Sequence, residues 1–264
     1  MVLVKMGGSL ITEKSGDARA RDDVIRRLAA EVAEGAAATD ERVLVGHGSG
    51  SFGHPTAAEH DLRHGARTPE ERLGLSRTQD RAARLHRRVM AALVDEGVAA
   101  FSVAPSSAAV AEDGEVAEFA AEPLVRALEG ELLPVVYGDV MMDRRRGATI
   151  ASTEAVFLGL APTLAEAGWP VRRALWLGST DGVLGADGRP LARIAAEEAD
   201  VPEAAGGSEA TDVTGGMRHR VETALRMAST MGVESWIGDG RRPGALRRAL
   251  AGAPEGGTRV SAAA

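Results

Sequence analysis

Arg42-Val43-Leu44-Val45, followed at once by Gly46-His47-Gly48-Ser49-Gly50-Ser51-Phe52-Gly53-His54-Pro55, is the stretch on which the fold turns. The apolar run reads as a buried strand. The nine residues from Gly46 to His54 hold four glycines and two serines, so they have little to pack and many N–H groups to offer. An anion site is the natural use of such a loop. No Lys-Ser or Lys-Thr pair follows, which excludes a Walker loop, and the glycine spacing is not that of a dinucleotide fingerprint. His54 adds a titratable donor beside the anion. The plainer alternative is a flexible loop with incidental histidines. His47, close behind the strand, reads as a satisfied structural histidine.

The same motif, a strand running into glycines, recurs on either side. Val2-Leu3-Val4-Lys5-Met6 enters Gly7-Gly8-Ser9, where Lys5 would supply a point charge and the glycine N–H groups could cradle phosphate. Taken alone, a Gly-Gly turn is more often structural. Asp22 to Glu34 places Val24, Leu28 and Val32 on one helical face, with two aspartates at its start. A polar helix is expected from about Pro69 to Glu96, and strands over Val98–Val103 and Leu132–Tyr137, the second ending in Gly138-Asp139. After Ile150-Ala151-Ser152-Thr153-Glu154 a helix should run to about Ala167. Arg173–Leu177 reads as a strand that ends in Gly178-Ser179-Thr180-Asp181-Gly182, and residues 185–190 as a hairpin. Thr211-Asp212-Val213-Thr214-Gly215-Gly216-Met217 opens a helix from about Arg218 to Met231. Its N–H groups suit a nucleotide phosphate, or a plain N-cap by Asp212 or Thr214. Val233–Ile237 is a late strand. Strands thus alternate with helices, and glycines follow strands. The pattern is that of a largely parallel sheet covered on both faces, with ligands at the carboxyl ends of the strands.

The bulk numbers narrow the partners. With 264 residues the chain can bury a full core, and no linker divides it into independent domains. A net charge of −7 leaves no basic footprint for nucleic acid. The absence of cysteine excludes disulfides, thiolate metal sites and a cysteine nucleophile. No apolar run approaches the roughly 20 residues of a membrane span, and the first residues lack the features of a secretory signal, so a cytoplasmic protein is expected. Aromatic residues make up only 3%, which leaves the core to Leu, Val and Ala.

Lys5-Met6-Gly7-Gly8-Ser9, Gly48-Ser49-Gly50-Ser51-Phe52-Gly53-His54, Tyr137-Gly138-Asp139, Thr180-Asp181-Gly182-Val183-Leu184 and Asp212-Val213-Thr214-Gly215-Gly216-Met217 come in the order seen in amino-acid kinases. The resemblance spans Leu3 to Gly240. Within that superfamily the Ser-Phe-Gly-His-Pro segment, Pro105-Ser106-Ser107 and the Asp-Val-Thr-Gly-Gly-Met segment most resemble the isopentenyl phosphate kinases. The fosfomycin-resistance kinases share the glycine loop and its histidine.

The resemblance implies an amino-acid-kinase fold, a three-layer αβα sandwich around a largely parallel sheet, in one domain. An acceptor lobe would occupy about residues 1–170 and a nucleotide lobe about 171–264. It implies ATP as phosphoryl donor with Mg²⁺ on its oxygens rather than in a site of protein ligands, a small-molecule phosphate acceptor, and a homodimer. Lys5, Gly7, Gly8, Ser9 and Gly50 would line the ATP phosphates, and Lys14 would stabilise the transition state. His54 would bind the acceptor phosphate with the N–H of Ser49 and with Gly8, while Asp181, Gly215 and Gly216 would serve the nucleotide. Three positions depart from the family pattern. Ser179 stands for an aspartate, Arg220 for a lysine, and Thr153 for a substrate-contacting glycine. An acceptor that is already anionic needs no general base, which fits a site of cations and a histidine. Three readings follow: phosphorylation of isopentenyl phosphate, kinase action on another phosphate or phosphonate such as fosfomycin or a longer prenyl phosphate, and a nucleotide-binding sensor of weak activity.

Overall fold

The computed structural model describes residues 1–13, 18–196 and 216–262. In chain order these form β1 (Val2–Met6), α1 (Gly8–Ile11), α2 (Asp22–Ala37), β2 (Val43–His47), α3 (Gly50–Glu59), α4 (Pro69–Asp95), β3 (Ala100–Ser102), α5 (Pro105–Ala108), β4 (Ala109–Glu112) and β5 (Glu115–Phe119). There follow α6 (Glu122–Glu129), β6 (Leu133–Tyr137), β7 (Asp139–Asp143), β8 (Gly147–Ala151), α7 (Thr153–Glu166), β9 (Arg173–Gly178), β10 (Arg193–Ala195), α8 (Gly216–Met231), β11 (Glu234–Asp239), α9 (Ala245–Leu250) and β12 (Thr258–Ser261).

Eight strands make the central sheet in the order β10-β12-β11-β9-β1-β2-β6-β3. Every pairing in it is parallel except β11 with β12. Strand order reverses at β1, which pairs with β2 on one side and β9 on the other. A crevice opens at such a switch point, beyond the carboxyl ends of the strands.

Period-two alternation assigns each strand residue to a layer. Val2, Val4 and Met6 of β1 join Val45, Leu177, Ile25, Leu28, Leu85 and Leu246 in the core beneath α2, α4 and α9. Leu3 turns the other way, with Leu44, Trp176, Phe157, Leu160 and Val221, beneath α7 and α8. This is the three-layer αβα sandwich that the sequence pattern implies. The same alternation puts Lys5 on the α7/α8 side, in a position that elsewhere along the strand is apolar.

Three regions differ from the sequence reading, the first being the edge strands β10 and β12, which it did not include. The segment after Ser49, read there as a loop, is the helix α3, which holds Pro55 within it. Packing overrides its poor propensity: Phe52 and Thr56 are buried, and His60 lies over the glycine face of α4 at Gly74. A second sheet, β5-β4-β7-β8, was not read from the sequence at all. Its first hairpin turns at Asp113-Gly114, both at positive φ (53° and 90°), and Asp143 holds the turn through the N–H groups of Asp113 and Gly114. The hairpin expected over 185–190 is present, closed by the Leu184–Pro190 bridge. Among the described residues no helix is long and apolar enough to cross a membrane.

One buried carboxylate joins the two ends of the chain. Glu31 of α2 accepts from the N–H groups of Gly244 (2.9 Å) and Leu246 (2.9 Å) at the start of α9, and pairs with Arg27 at 2.6 Å. It serves α9 as a cap supplied from another helix. Glu31→Ala should therefore cost about 2–4 kcal/mol, since it orphans buried donors as well as removing the pair. Urea unfolding measures this, and a loss below about 0.5 kcal/mol would show that water replaces the cap.

Candidate active site

The carboxyl ends of β1 and β2 lie side by side, so their glycine turns meet. Gly48 N–H donates to the Met6 carbonyl at 3.0 Å, and Thr12 ties the turns together. The Thr12 hydroxyl donates to the Gly8 carbonyl (2.8 Å) and accepts from Ser51 N–H (3.1 Å). The approach leaves no room for side chains. A Cβ on Gly8 would stand 2.5 Å from the Gly50 nitrogen, and Gly50 itself has φ +50°.

The N–H groups of Gly8, Ser9, Ser49 and Gly50 donate to no backbone or side-chain group of the described protein. They form a cradle of donors at the switch point, fit for phosphate oxygens. Gly7, expected from the sequence to offer its N–H, spends it on the Leu177 carbonyl at 2.8 Å. Its place in the site is that of a bare Cα.

Lys5 lies just below this cradle, 6% exposed, and its Nζ is hydrogen-bonded to Glu154 of α7, which is 4% exposed. Arg220 of α8 reaches in from the other side, where a Cβ on Gly7 would lie 3.4 Å from its Nη2 and one on Gly178 2.7 Å from its Nη1. Burial, opposed by Glu154, pulls the Lys5 ammonium below its ordinary pKa, and Arg220 pulls in the same direction. Burial pushes the Glu154 carboxyl up, but Lys5 and Arg220 outweigh it and hold the group below its ordinary value. The buried cluster is a carboxylate between two cations.

His54 stands on the open side of α3. Although its surface is open, the protein crowded around the ring draws its pKa below the ordinary value, with Lys5 and Arg63 adding to the shift. Thr153, the first residue of α7, is buried, and its hydroxyl donates to the His47 carbonyl at 2.7 Å. That hydroxyl is engaged within the protein. Ser152 caps α7 through Ala155 N–H (3.0 Å) and meets His219 of α8 at 3.0 Å. Ser179 follows β9, partly exposed. Asp181 is paired with Arg242 at 2.8 Å, beyond the end of β11. Asp139, behind the Ser49 loop, is 2% exposed and accepts from Ser106 N–H at 3.1 Å. Burial raises its pKa. Lys14, Gly215 and the residues 211–214 lie outside the described residues, while Gly216 begins α8.

Sequence reading missed Glu154 as the partner of Lys5, and Thr12 as the clamp. The first had a signal: a lysine inside Val-Leu-Val-Lys-Met needs a counter-charge, and Glu154 opens a helix after a strand. Thr12 had none.

His47 is a buried structural histidine, as its position implied. It meets His86 of α4 ring to ring, and Tyr137 stacks on His86 at 4.1 Å. Burial lowers His47 to about 4 and, with help from His47 and Arg87, lowers His86 to about 3.

The chain belongs to the amino acid kinase family, whose model matches residues 1–239. It is 33% identical to the isopentenyl phosphate kinase of Methanothermobacter thermautotrophicus over 272 aligned residues, 99% of either chain. To the isopentenyl phosphate kinase of Haloferax volcanii it is 36% identical over 230 residues, 87% of this chain and 89% of the relative. A crystal structure of an isopentenyl phosphate kinase superposes with a TM-score of 0.80 at 30% identity, covering 98% of this chain and 99% of the other.

The histidine pair sets a pH dependence. Both rings fold neutral with pKa values below the unfolded value of about 6.5. Their contribution is thus complete above about pH 6.5 and declines as pH falls through 6.5 toward the folded values. For His47, a drop from the ordinary value of about 6.5 to about 4 corresponds to roughly 3 kcal/mol. Denaturant midpoints between about pH 7 and about pH 4.5 should fall more steeply in the wild type than in His86→Leu. Equal slopes would show that the pair does not report on folding.

Proposed function

We propose that this protein transfers the γ-phosphoryl group of ATP to isopentenyl phosphate, giving isopentenyl diphosphate and ADP. The observation that carries the reading is the convergence, at one strand-end crevice, of four unengaged N–H groups, the buried Lys5–Glu154–Arg220 cluster and His54. The relatives at 33% and 36% identity, named as isopentenyl phosphate kinases, supply the acceptor.

The chemistry asks for positioning and charge neutralisation. An acceptor phosphate oxygen forms a bond to the γ-phosphorus as the bond to the ADP oxygen breaks, with no proton to remove. The main obstacle is repulsion between two anions, and fixed donors offset it without reorganising. The N–H groups of Gly8, Ser9 and Gly50 take donor phosphate oxygens, with Lys5 beneath and Arg220 beside them. Ser49 N–H and His54 take the acceptor phosphate. Thr153, whose hydroxyl is engaged, offers its N–H at the head of α7. Glu154 holds Lys5 in place and opposes the loss of its charge to burial. Gly215, Gly216, Ser179 and Asp181 serve the nucleotide, and Lys14 bridges donor and acceptor in the transition state. Among the described residues no cluster of three or more His, Asp or Glu is placed to hold a metal ion. Mg²⁺ would accompany ATP and would supply further charge neutralisation at its phosphates. An acceptor lobe of about residues 1–170 and a nucleotide lobe of about 171–264 divide the work. The protein works in the cytoplasm as a homodimer.

The decisive experiment compares kcat/KM across isopentenyl phosphate, geranyl phosphate and fosfomycin with ATP and Mg²⁺. Isopentenyl phosphate should lead, geranyl phosphate follow, and fosfomycin be poor. A lead of about tenfold for fosfomycin, about 1.4 kcal/mol in transition-state binding, would overturn the isoprenoid reading. ATP hydrolysis that no acceptor accelerates would favour the sensor.

His54→Ala should raise KM for the acceptor by roughly 10- to 100-fold, the scale of one charge-assisted hydrogen bond, and leave KM for ATP nearly unchanged. An ATP KM that rises in parallel would move His54 to the nucleotide side.

A further inference from the structure

The mechanism leaves two buried histidines unused, and their hydrogen bonds lead into the cradle. His47 Nδ1 lies 3.2 Å from the Gly48 carbonyl oxygen, His47 Nε2 lies 3.0 Å from His86 Nδ1, and His86 Nε2 lies 2.7 Å from the Ser102 hydroxyl. The two ring planes lie within 19° of each other, with centroids 5.3 Å apart, which is compatible with an edge-to-edge bond in the ring plane. One placement of protons satisfies neutral rings throughout. The carbonyl can only accept, so His47 carries its hydrogen on Nδ1 and accepts at Nε2. His86 must then donate from Nδ1, which leaves its Nε2 to accept from Ser102. The direction runs from a hydroxyl at the surface to a carbonyl in the phosphate loop.

That carbonyl shares a planar trans peptide unit with Ser49 N–H, and the two bonds point opposite ways. Holding the Gly48 oxygen back toward His47 therefore aims the Ser49 hydrogen outward. Gly138 keeps the space beside it open, since a Cβ there would stand 3.3 Å from the Ser49 nitrogen. We propose that His86 is a positioning residue: with Ser102 and His47 it locks the Gly48–Ser49 peptide so that the Ser49 N–H faces the acceptor phosphate. The inference rests on the reading of Ser49 as an acceptor-phosphate donor.

Three variants and one measurement on the wild type test it. His86→Leu removes the donor and should raise KM for the acceptor ~10-fold while KM for ATP stays within about twofold. His86→Asn places an amide N–H near the former Nδ1 and should restore the acceptor KM to within about threefold of wild type. Ser102→Ala, at the outer end, should shift it by no more than about threefold. If ATP and acceptor KM rise together, or Asn and Leu behave alike, His86 is merely a core residue. Nitrogen-15 NMR of the wild type should find both rings protonated on Nδ1 and bare on Nε2, and the opposite tautomer in either ring overturns the proposal even if a variant fails to fold. If the wild type prefers another phosphate acceptor, the KM comparison is made with that one. Failure of the isopentenyl phosphate reading is thereby separable from failure of the relay.

Discussion

A lysine ammonium in the middle of a buried parallel sheet is the constraint around which this molecule is arranged. Lys5 occupies a position that alternation assigns to the α7/α8 core, where an unpaired charge would cost several kcal/mol. Glu154 must therefore stand at the head of α7, and α7 must start where β8 ends. Arg220 adds a second cation from α8 and would be intolerable beside Lys5 without that carboxylate. Such a cluster is poor evidence for stability. Its value is that it holds positive charge under a set of backbone donors before any ligand arrives.

Those donors depend in turn on backbone proximity. The turns after β1 and β2 approach until only glycine fits, and Thr12 fixes their spacing with one donated and one accepted hydrogen bond. Each strand end thereby contributes N–H groups that neither sheet nor helix consumes. The helix α3 follows without a break, so that His54 rises from its second turn beside the same cradle. Rigid strands, rather than a mobile loop, carry the site, which suits chemistry that gains mainly from preorganised charge.

Strands β1, β2, β6, β9 and β11 of the central sheet were legible because they are largely apolar and run into glycine, whereas its edge strands β10 and β12, short and carrying Arg193 and Arg259, were not. The cradle was legible for the same reason at Gly8, Ser49 and Gly50. The second sheet was not, because its strands are short and half exposed, and residues such as Glu115 and Glu118 dilute the alternation. The Asp113-Gly114 pair was a hairpin signal that the surrounding charges obscured. Helix α3 was hidden by glycine and proline, whose poor propensity yields to packing against α4. The Lys5–Glu154 pair and the Ser102–His86–His47 chain join residues 149, 16 and 39 positions apart. No local pattern encodes contacts of that kind.

The departures at Ser179 and Arg220 gain a physical meaning from this geometry. Arg220 lies in the groove between the strand-end glycines Gly7 and Gly178, where a planar guanidinium can slide between two bare backbones and reach two oxygens at once. A lysine would present a point charge to the same region. Ser179, next to Gly178, brings no negative charge of its own to that turn. Ser179 adds no charge to Lys5, Glu154 and Arg220, and the repulsion between two approaching phosphates still has to be offset. Much of that task falls to the N–H dipoles of the strand-end turns, and this is why the glycines matter to the site as much as its charged side chains.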